Sequence, residues 1–209
     1  METGKGHEGQ TLYRNLNRLR HLLDLARIKR IEKDGEWYYE YAGELYPEYL
    51  NLGSAMTYIL DTAQQYCQGA GLDIGASKWP YPGAIPIQDE EGLNAYTLDR
   101  FADEQFDYVF SSHCLEHLED WQYALGLWLQ KIKVSGILFL YLPHHSMKMW
   151  HPGAALGGHH VWIPRYQVIN KFLEANGCVI VDYNPAKDHY WSFHLVARKQ
   201  QARLFQRIY

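Results

Sequence analysis

Apolar positions along the chain follow two rhythms that change near residue 69. Before it, Leu12, Leu16, Leu19, Leu22, Leu23 and Leu25 or Ala26 recur at helical spacing through about Ile31, and Lys33-Asp34-Gly35 ends the pattern. An aromatic, acidic connector containing Pro47 runs from Trp37 to Tyr49, and a second helix is predicted from about Ser54 to Cys67, ending at Gly69. After residue 69 the apolar runs shorten to strand length: Leu72 to Ile74, Ala84 to Ile87, Phe106 to Ser111 and Ile137 to Leu142, with a weaker run near Leu93 to Tyr96. Helical or loop segments separate them, the alternation a parallel sheet requires. Glu119-Asp120 opens one helix, carried by Leu125, Leu127, Trp128 and Ile132 to about Lys133. Pro164 opens another, with Val168, Ile169, Phe172 and Leu173 as its buried face and Asn176-Gly177 as its end. Two final strands, Cys178 to Tyr183 and Tyr190 to Ala197, are joined by a link too short for a crossover, so they pair antiparallel.

Residues 70 to 77, Ala-Gly-Leu-Asp-Ile-Gly-Ala-Ser, stand out because the first run ends in Asp73 and leads straight into a glycine turn. In an open α/β sheet the binding crevice lies outside the carboxyl ends of the strands, and a glycine there lets backbone approach a ligand. Taken alone, Gly75 is also compatible with a buried strand and an ordinary turn, since a dinucleotide fingerprint wants three spaced glycines.

Composition narrows the class. The 209 residues, 47% hydrophobic and 21% charged, suit one α/β domain with an appendage. A net charge of −4 argues against a general nucleic-acid or membrane-surface binder. The basic residues Arg14, Arg18, Arg20, Arg27, Lys29 and Arg30 read as a solvated helix face. Cys67, Cys114 and Cys178 are widely spaced, and no apolar run reaches membrane-spanning length, so a cytoplasmic location with reduced thiols is expected. Seventeen tyrosines and seven tryptophans fit either an aromatic-lined pocket or a homodimer interface.

The order of segments resembles the class I S-adenosylmethionine-dependent methyltransferases over about residues 68 to 198. Three stretches carry the likeness: Gly71 to Ala76, Phe106 to Leu118 with its Phe-Asp-x-Val and Leu-Glu-His, and Lys131 to Leu138. The resemblance implies a Rossmann-like α/β fold, with a mostly parallel seven-stranded sheet, a terminal antiparallel hairpin and helices on both faces. It divides the chain into a partly mobile N-terminal helical extension (1–68), a methyltransferase domain (69–199) and a C-terminal tail (200–209). Trp79 to Ile85 leaves no room for a full crossover helix between the first two strands.

The same likeness implies S-adenosyl-L-methionine as cofactor. Asp73, Gly75, Ala76 and Ser77 would meet its methionine part, although the family usually has further glycines where Ala76 and Ser77 stand. An acid that accepts both ribose hydroxyls usually ends the second strand. Gln88 occupies that position, and Asp89 beside it is either the substitute or a solvated loop acid. Asn94, Thr97 and Leu98 match the adenine-lining region, with Leu98 equally readable as core. Ser111, Ser112 and His113 leave the fourth strand beside the transferable methyl, whereas His117 reads as structural.

Residues 143 to 163 lack a clean period and hold His144, His145, His151, His159 and His160, five of eleven histidines. Without an associated Cys or an HExxH spacing they make a poor metal signature, and no metal is expected. A substrate-facing lid is the better reading, with His145 or His160 as general base toward an attacking hydroxyl or amine. The expected activity is methyl transfer to an O- or N-nucleophile of a small-molecule or glycan-like acceptor. The alternatives are a catalytically inactive methyltransferase-like binding protein and, more remotely, a histidine-ligated metal hydrolase.

Overall fold

Two sheets organise the residues described by the computed structural model: 22, 23, 25–48, 54–154, 160–202 and 205–208. The first is an antiparallel meander of β1 (Lys29–Lys33), β2 (Glu36–Tyr41) and β3 (Glu44–Pro47). Its two-residue turns, Asp34-Gly35 and Ala42-Gly43, have positive φ at both positions, the backbone twist that suits tight hairpins. This corrects the helical extension. Lys33-Asp34-Gly35 does not stop a helix; it reverses a strand, and the expected connector is two more strands. Most of the predicted first helix, and the terminus expected to be mobile, lie outside the described residues.

The second sheet contains β4 (Gly71–Ile74), β5 (Ile85–Ile87), β6 (Phe106–Ser112), β7 (Ile132–Pro143), β8 (Cys178–Asn184) and β9 (Ser192–Lys199), in the order β5-β4-β6-β7-β9-β8. The first four run parallel, and β9 pairs antiparallel with both β7 and β8. The hairpin expected at the end is therefore present. The sheet has six strands among the described residues, not seven, because residues 93–96 make only isolated bridges. Asn94 explains this locally: its Oδ1 accepts the Tyr96 backbone N–H at 2.9 Å, turning the chain where a ladder would need it extended.

Helix α1 (Ala55–Tyr66) packs Met56, Ile59 and Ala63 against Tyr108, Phe110, Phe139 and Tyr141 on one face of the sheet. Helices α2 (Trp121–Lys131) and α3 (Tyr166–Ala175) cover the other, where Trp128, Phe172 and Leu173 meet Leu72, Val109, Leu138 and Leu140. Asp120 caps α2 by accepting the Tyr123 N–H at 3.2 Å. The helix ends two residues earlier than the sequence suggests, because Ile132 already pairs with Phe106. Both faces of the parallel strands are thus buried, which accounts for their near-continuous apolar runs.

The chain passes from β4 to β5 on one side, then returns to place β6 on the other. The carboxyl end of β4 is consequently a topological switch point, where open α/β sheets bind ligands. The antiparallel meander docks nearby through Tyr46, which packs with Met147, Met149 and Trp191.

Candidate active site

The turn after β4 is built by backbone. Gly75 has φ +84° and donates its N–H to Ile87 O at 2.9 Å, tying the turn to the end of β5. A Cβ at Gly75 would fall 2.5 Å from Cys114 Cβ, so only glycine lets the turn and the segment after β6 approach this closely. Ser77 adopts φ +47°, and its carbonyl accepts a hydrogen bond from Gln88 Nε2 at 2.8 Å. The turn thus takes up a left-handed residue without the second glycine usual in the family.

Asp73 is 2% exposed, and its Oδ2 accepts the Tyr81 N–H at 2.7 Å. Burial raises its carboxyl pKa to about 7, opposed by that hydrogen bond. The short link between β4 and β5 is therefore pinned from below by this side chain.

A cleft of about 380 Å³ opens at the switch point, lined by Gly75, Ile87, Gln88, Asp89, Asn94, Ala95, Tyr96, Cys114, His117 and Leu118. Its size suits a small organic cofactor. Of the twelve residues expected to bind cofactor, Gly75, Gln88, Asp89 and Asn94 line this cleft. Asp73, Ala76, Ser77, Thr97, Leu98, Ser111, Ser112 and His113 do not. Leu98 is fully buried core, and Ser111 Oγ donates to Ile74 O at 2.9 Å as a tie between β6 and β4. Thr97 bridges Asn94 through backbone, and Ala76 is buried.

Beyond the cleft lies a group of four side chains. Glu116, in the 3-10 turn Leu115–His117, has a fully buried side chain, and neither of its carboxylate oxygens finds a hydrogen-bond partner. His113 Nδ1, His117 Nε2 and His160 Nε2 lie 3.5, 3.9 and 3.8 Å from Glu116 Oε1. Burial pushes the Glu116 pKa up to about 8 and, with repulsion from neighbouring histidines, lowers His113 to about 3 and His160 to about 4. The loop reaches this group because the Val161 N–H donates to Glu116 O at 2.9 Å and Trp162 Nε1 donates to Leu115 O at 2.8 Å.

His145 is placed differently. It is exposed, packs tilted against His144 with ring centroids 4.2 Å apart, and belongs neither to the cleft lining nor to the Glu116 group. His117 departs from its structural reading: its side chain is 38% exposed and lines the cleft. Tyr96, Cys114, Glu116 and Leu118 were not among the candidates. The Leu-Glu-His segment carried the signal for Glu116 and His117, since an acid there with His113 one turn earlier is an unusual burden for a segment leaving a buried strand.

A parallel sheet with an antiparallel end, a glycine turn at its switch point and a cofactor-sized cleft define the Rossmann-like methyltransferase fold. Residues 48–140 match a family model described as a methyltransferase domain, a match that together with the fold supports a class I S-adenosylmethionine-dependent methyltransferase with S-adenosyl-L-methionine as cofactor. Solved structures agree on the fold. A Thermotoga maritima protein described as a possible histamine N-methyltransferase superposes with a TM-score of 0.53 at 13% identity, covering 72% of this chain and 92% of that one. A Listeria monocytogenes protein described as a putative S-adenosylmethionine-dependent methyltransferase gives 0.52 at 13% identity, covering 72% and 100%. A Haloferax volcanii complex described as the Trm112 methyltransferase activator with a putative methyltransferase gives 0.52 at 11% identity, covering 74% and 95%. No curated protein shows significant similarity to the chain. Among the described residues, no helix is long and apolar enough to cross a membrane.

Proposed function

We propose that this chain catalyses methyl transfer to an O- or N-nucleophile of a small-molecule or glycan-like acceptor. The observation that carries the reading is the cleft itself: Gly75 exposes bare backbone at the switch point, facing Cys114 and His117 at the end of β6. When bound, S-adenosylmethionine supplies an electrophilic methyl on a sulfonium.

The backbone of the Gly75 turn would hold the methionine part. Asp89 would accept the ribose hydroxyls, because it brings a carboxylate with two acceptor oxygens to the cleft lining, where Gln88 offers a single amide oxygen beside the Nε2 it donates to Ser77 O. Asn94, Ala95, Tyr96 and Leu118 offer adenine a wall that is mostly apolar with one amide. Asp73 acts one step removed, through the Tyr81 backbone. The segment holding Lys148 would cover the acceptor side, and the meander braces it: Tyr46 Oη accepts the Lys148 N–H at 3.0 Å, while Trp191, packed on Tyr46, donates Nε1–H to Leu45 O at 3.0 Å. Alignment of the acceptor under this cover supplies most of the rate, as substrate positioning commonly does.

Incubation with methyl-labelled S-adenosylmethionine and a panel of polyhydroxylated and amine acceptors tests the activity. Label transfer above the enzyme-free rate, reduced far more by His160→Ala than by His145→Ala, is the expected result. Cofactor retained on the purified protein with no transfer to any acceptor class would favour the binding-protein alternative, which rests on Ala76, Ser77 and Gln88.

A further inference from the structure

A buried carboxylate among three imidazoles needs a reason. Glu116 is 0% exposed, both its oxygens lack a hydrogen-bond partner, and His113 Nδ1 is likewise buried without one. Burying such groups unpaired is costly, and nature ordinarily answers with a partner or a metal ion. No lysine or arginine forms an ion pair with Glu116 among the described residues. What surrounds it is a set of nitrogen donors: the Glu116, His117 and His160 ligand atoms all lie within 4.8 Å of one another, and His113 Nδ1 faces the same oxygen at 3.5 Å.

We propose that His113, Glu116, His117 and His160 form a binding site for one divalent transition-metal ion of the zinc class. Ligands about 2.1 Å from a tetrahedral ion stand about 3.4 Å apart. The 3.5 to 3.9 Å separations from Glu116 Oε1 therefore need to contract by only a few tenths of an ångström. Three imidazoles and one carboxylate are borderline donors, which favours zinc, cobalt or iron(II) over calcium or magnesium.

The outer contacts orient the rings for this role. His113 Nε2 engages Ser192 Oγ at 2.8 Å, which leaves Nδ1 turned toward Glu116. A ligating histidine ordinarily holds its second ring nitrogen in such a bond. Trp150 sets an edge-to-face ring against both His113 and His160, at 6.0 and 5.9 Å, and walls the site. His117 lines the cleft, so a fifth position on the ion would open toward the crevice. If the methyl-transfer reading holds, an acceptor oxygen bound there would be deprotonated more easily. The site itself stands without that reading.

Tag-free protein, stripped with a chelator and titrated with Co²⁺ alone, tests the proposal through visible absorption and elemental stoichiometry, with Zn²⁺ as competitor. One equivalent of low-symmetry, Zn²⁺-displaceable Co²⁺ is expected. His117→Ala and His160→Ala should each weaken binding at least ~100-fold, and Ser192→Ala, which removes the outer partner of His113 together with a hydrogen bond to Tyr190 O, about 10-fold. His151→Ala should change nothing. Thermal melting of each variant checks that it is folded, and S-adenosylhomocysteine binding by the unaltered protein separates failure of the metal site from failure of the methyltransferase reading. No uptake of Co²⁺, or uptake insensitive to His117→Ala and His160→Ala in folded protein, would overturn the site.

Discussion

The two flanks of the cleft are built in opposite ways. On the β4–β5 flank the polar groups are answered inside the protein: the buried Asp73 by the Tyr81 N–H, the exposed Gln88 amide by Ser77 O, and the Gly75 N–H by Ile87 O. On the β6 flank Ser112 Oγ, His113 Nδ1, both Glu116 oxygens and Trp150 Nε1 are buried without a partner. A satisfied network holds a shape, whereas an unsatisfied one stores interaction free energy for a ligand. The first flank therefore reads as the scaffold for the cofactor, and the second as the place where chemistry is left open.

The comparison breaks most visibly at Gly75. Gly75→Val combines a left-handed backbone with a Cβ 2.5 Å from Cys114 Cβ, so strain and overpacking together should cost up to about 6 kcal/mol. Thermal melting and S-adenosylhomocysteine titration should both register it, with affinity falling at least ~100-fold. A variant with unchanged affinity would remove the turn from the cofactor site.

Asp73 sharpens the scaffold side through pH. Its folded pKa of about 7 lies above the ordinary aspartate value of 3.8, so the folded state holds the proton more tightly than the unfolded state. Stability of cofactor-free protein should fall as pH rises from about 4 through 7, by on the order of 4 kcal/mol, and the full penalty is present above that range. Asp73→Asn keeps an acceptor for the Tyr81 N–H and should flatten this dependence. Parallel wild-type and variant curves of stability against pH would contradict the assignment.

Smaller effects test the division of labour. Asp89→Ala should weaken cofactor binding about 10- to 100-fold, the loss expected for hydrogen bonds to a charged acceptor, and more than Gln88→Ala does. Equal effects would mean that Gln88 shares the ribose. Tyr46→Phe removes the hydroxyl that accepts from Lys148 and donates to Glu44 Oε2 at 2.7 Å. It should cost about 1 kcal/mol in stability and lower turnover without changing cofactor affinity.

Legibility in the sequence followed periodicity. The parallel strands, α1 to α3 and the closing hairpin announce themselves because burial on both faces demands continuous apolar runs. The meander was missed because its half-buried strands carry charged and aromatic residues in no clean alternation. Asp34-Gly35 and Ala42-Gly43 were the available signal. In the site, Gly75, Gln88 and Asp89 were accessible because they follow strand ends joined by a short link, and Asn94 because it lies in the turn soon after. The partnership of Glu116 with His160 was not, since it depends on a long loop returning through the Val161 to Glu116 hydrogen bond. His145 and His160 look alike in the sequence, and only that return path tells them apart.

Isothermal titration of the purified chain with S-adenosylhomocysteine tests the central claim most directly. One site per chain, weakened by Asp89→Ala and lost in Gly75→Val, is the predicted result. No heat of binding at millimolar ligand from folded protein would contradict it.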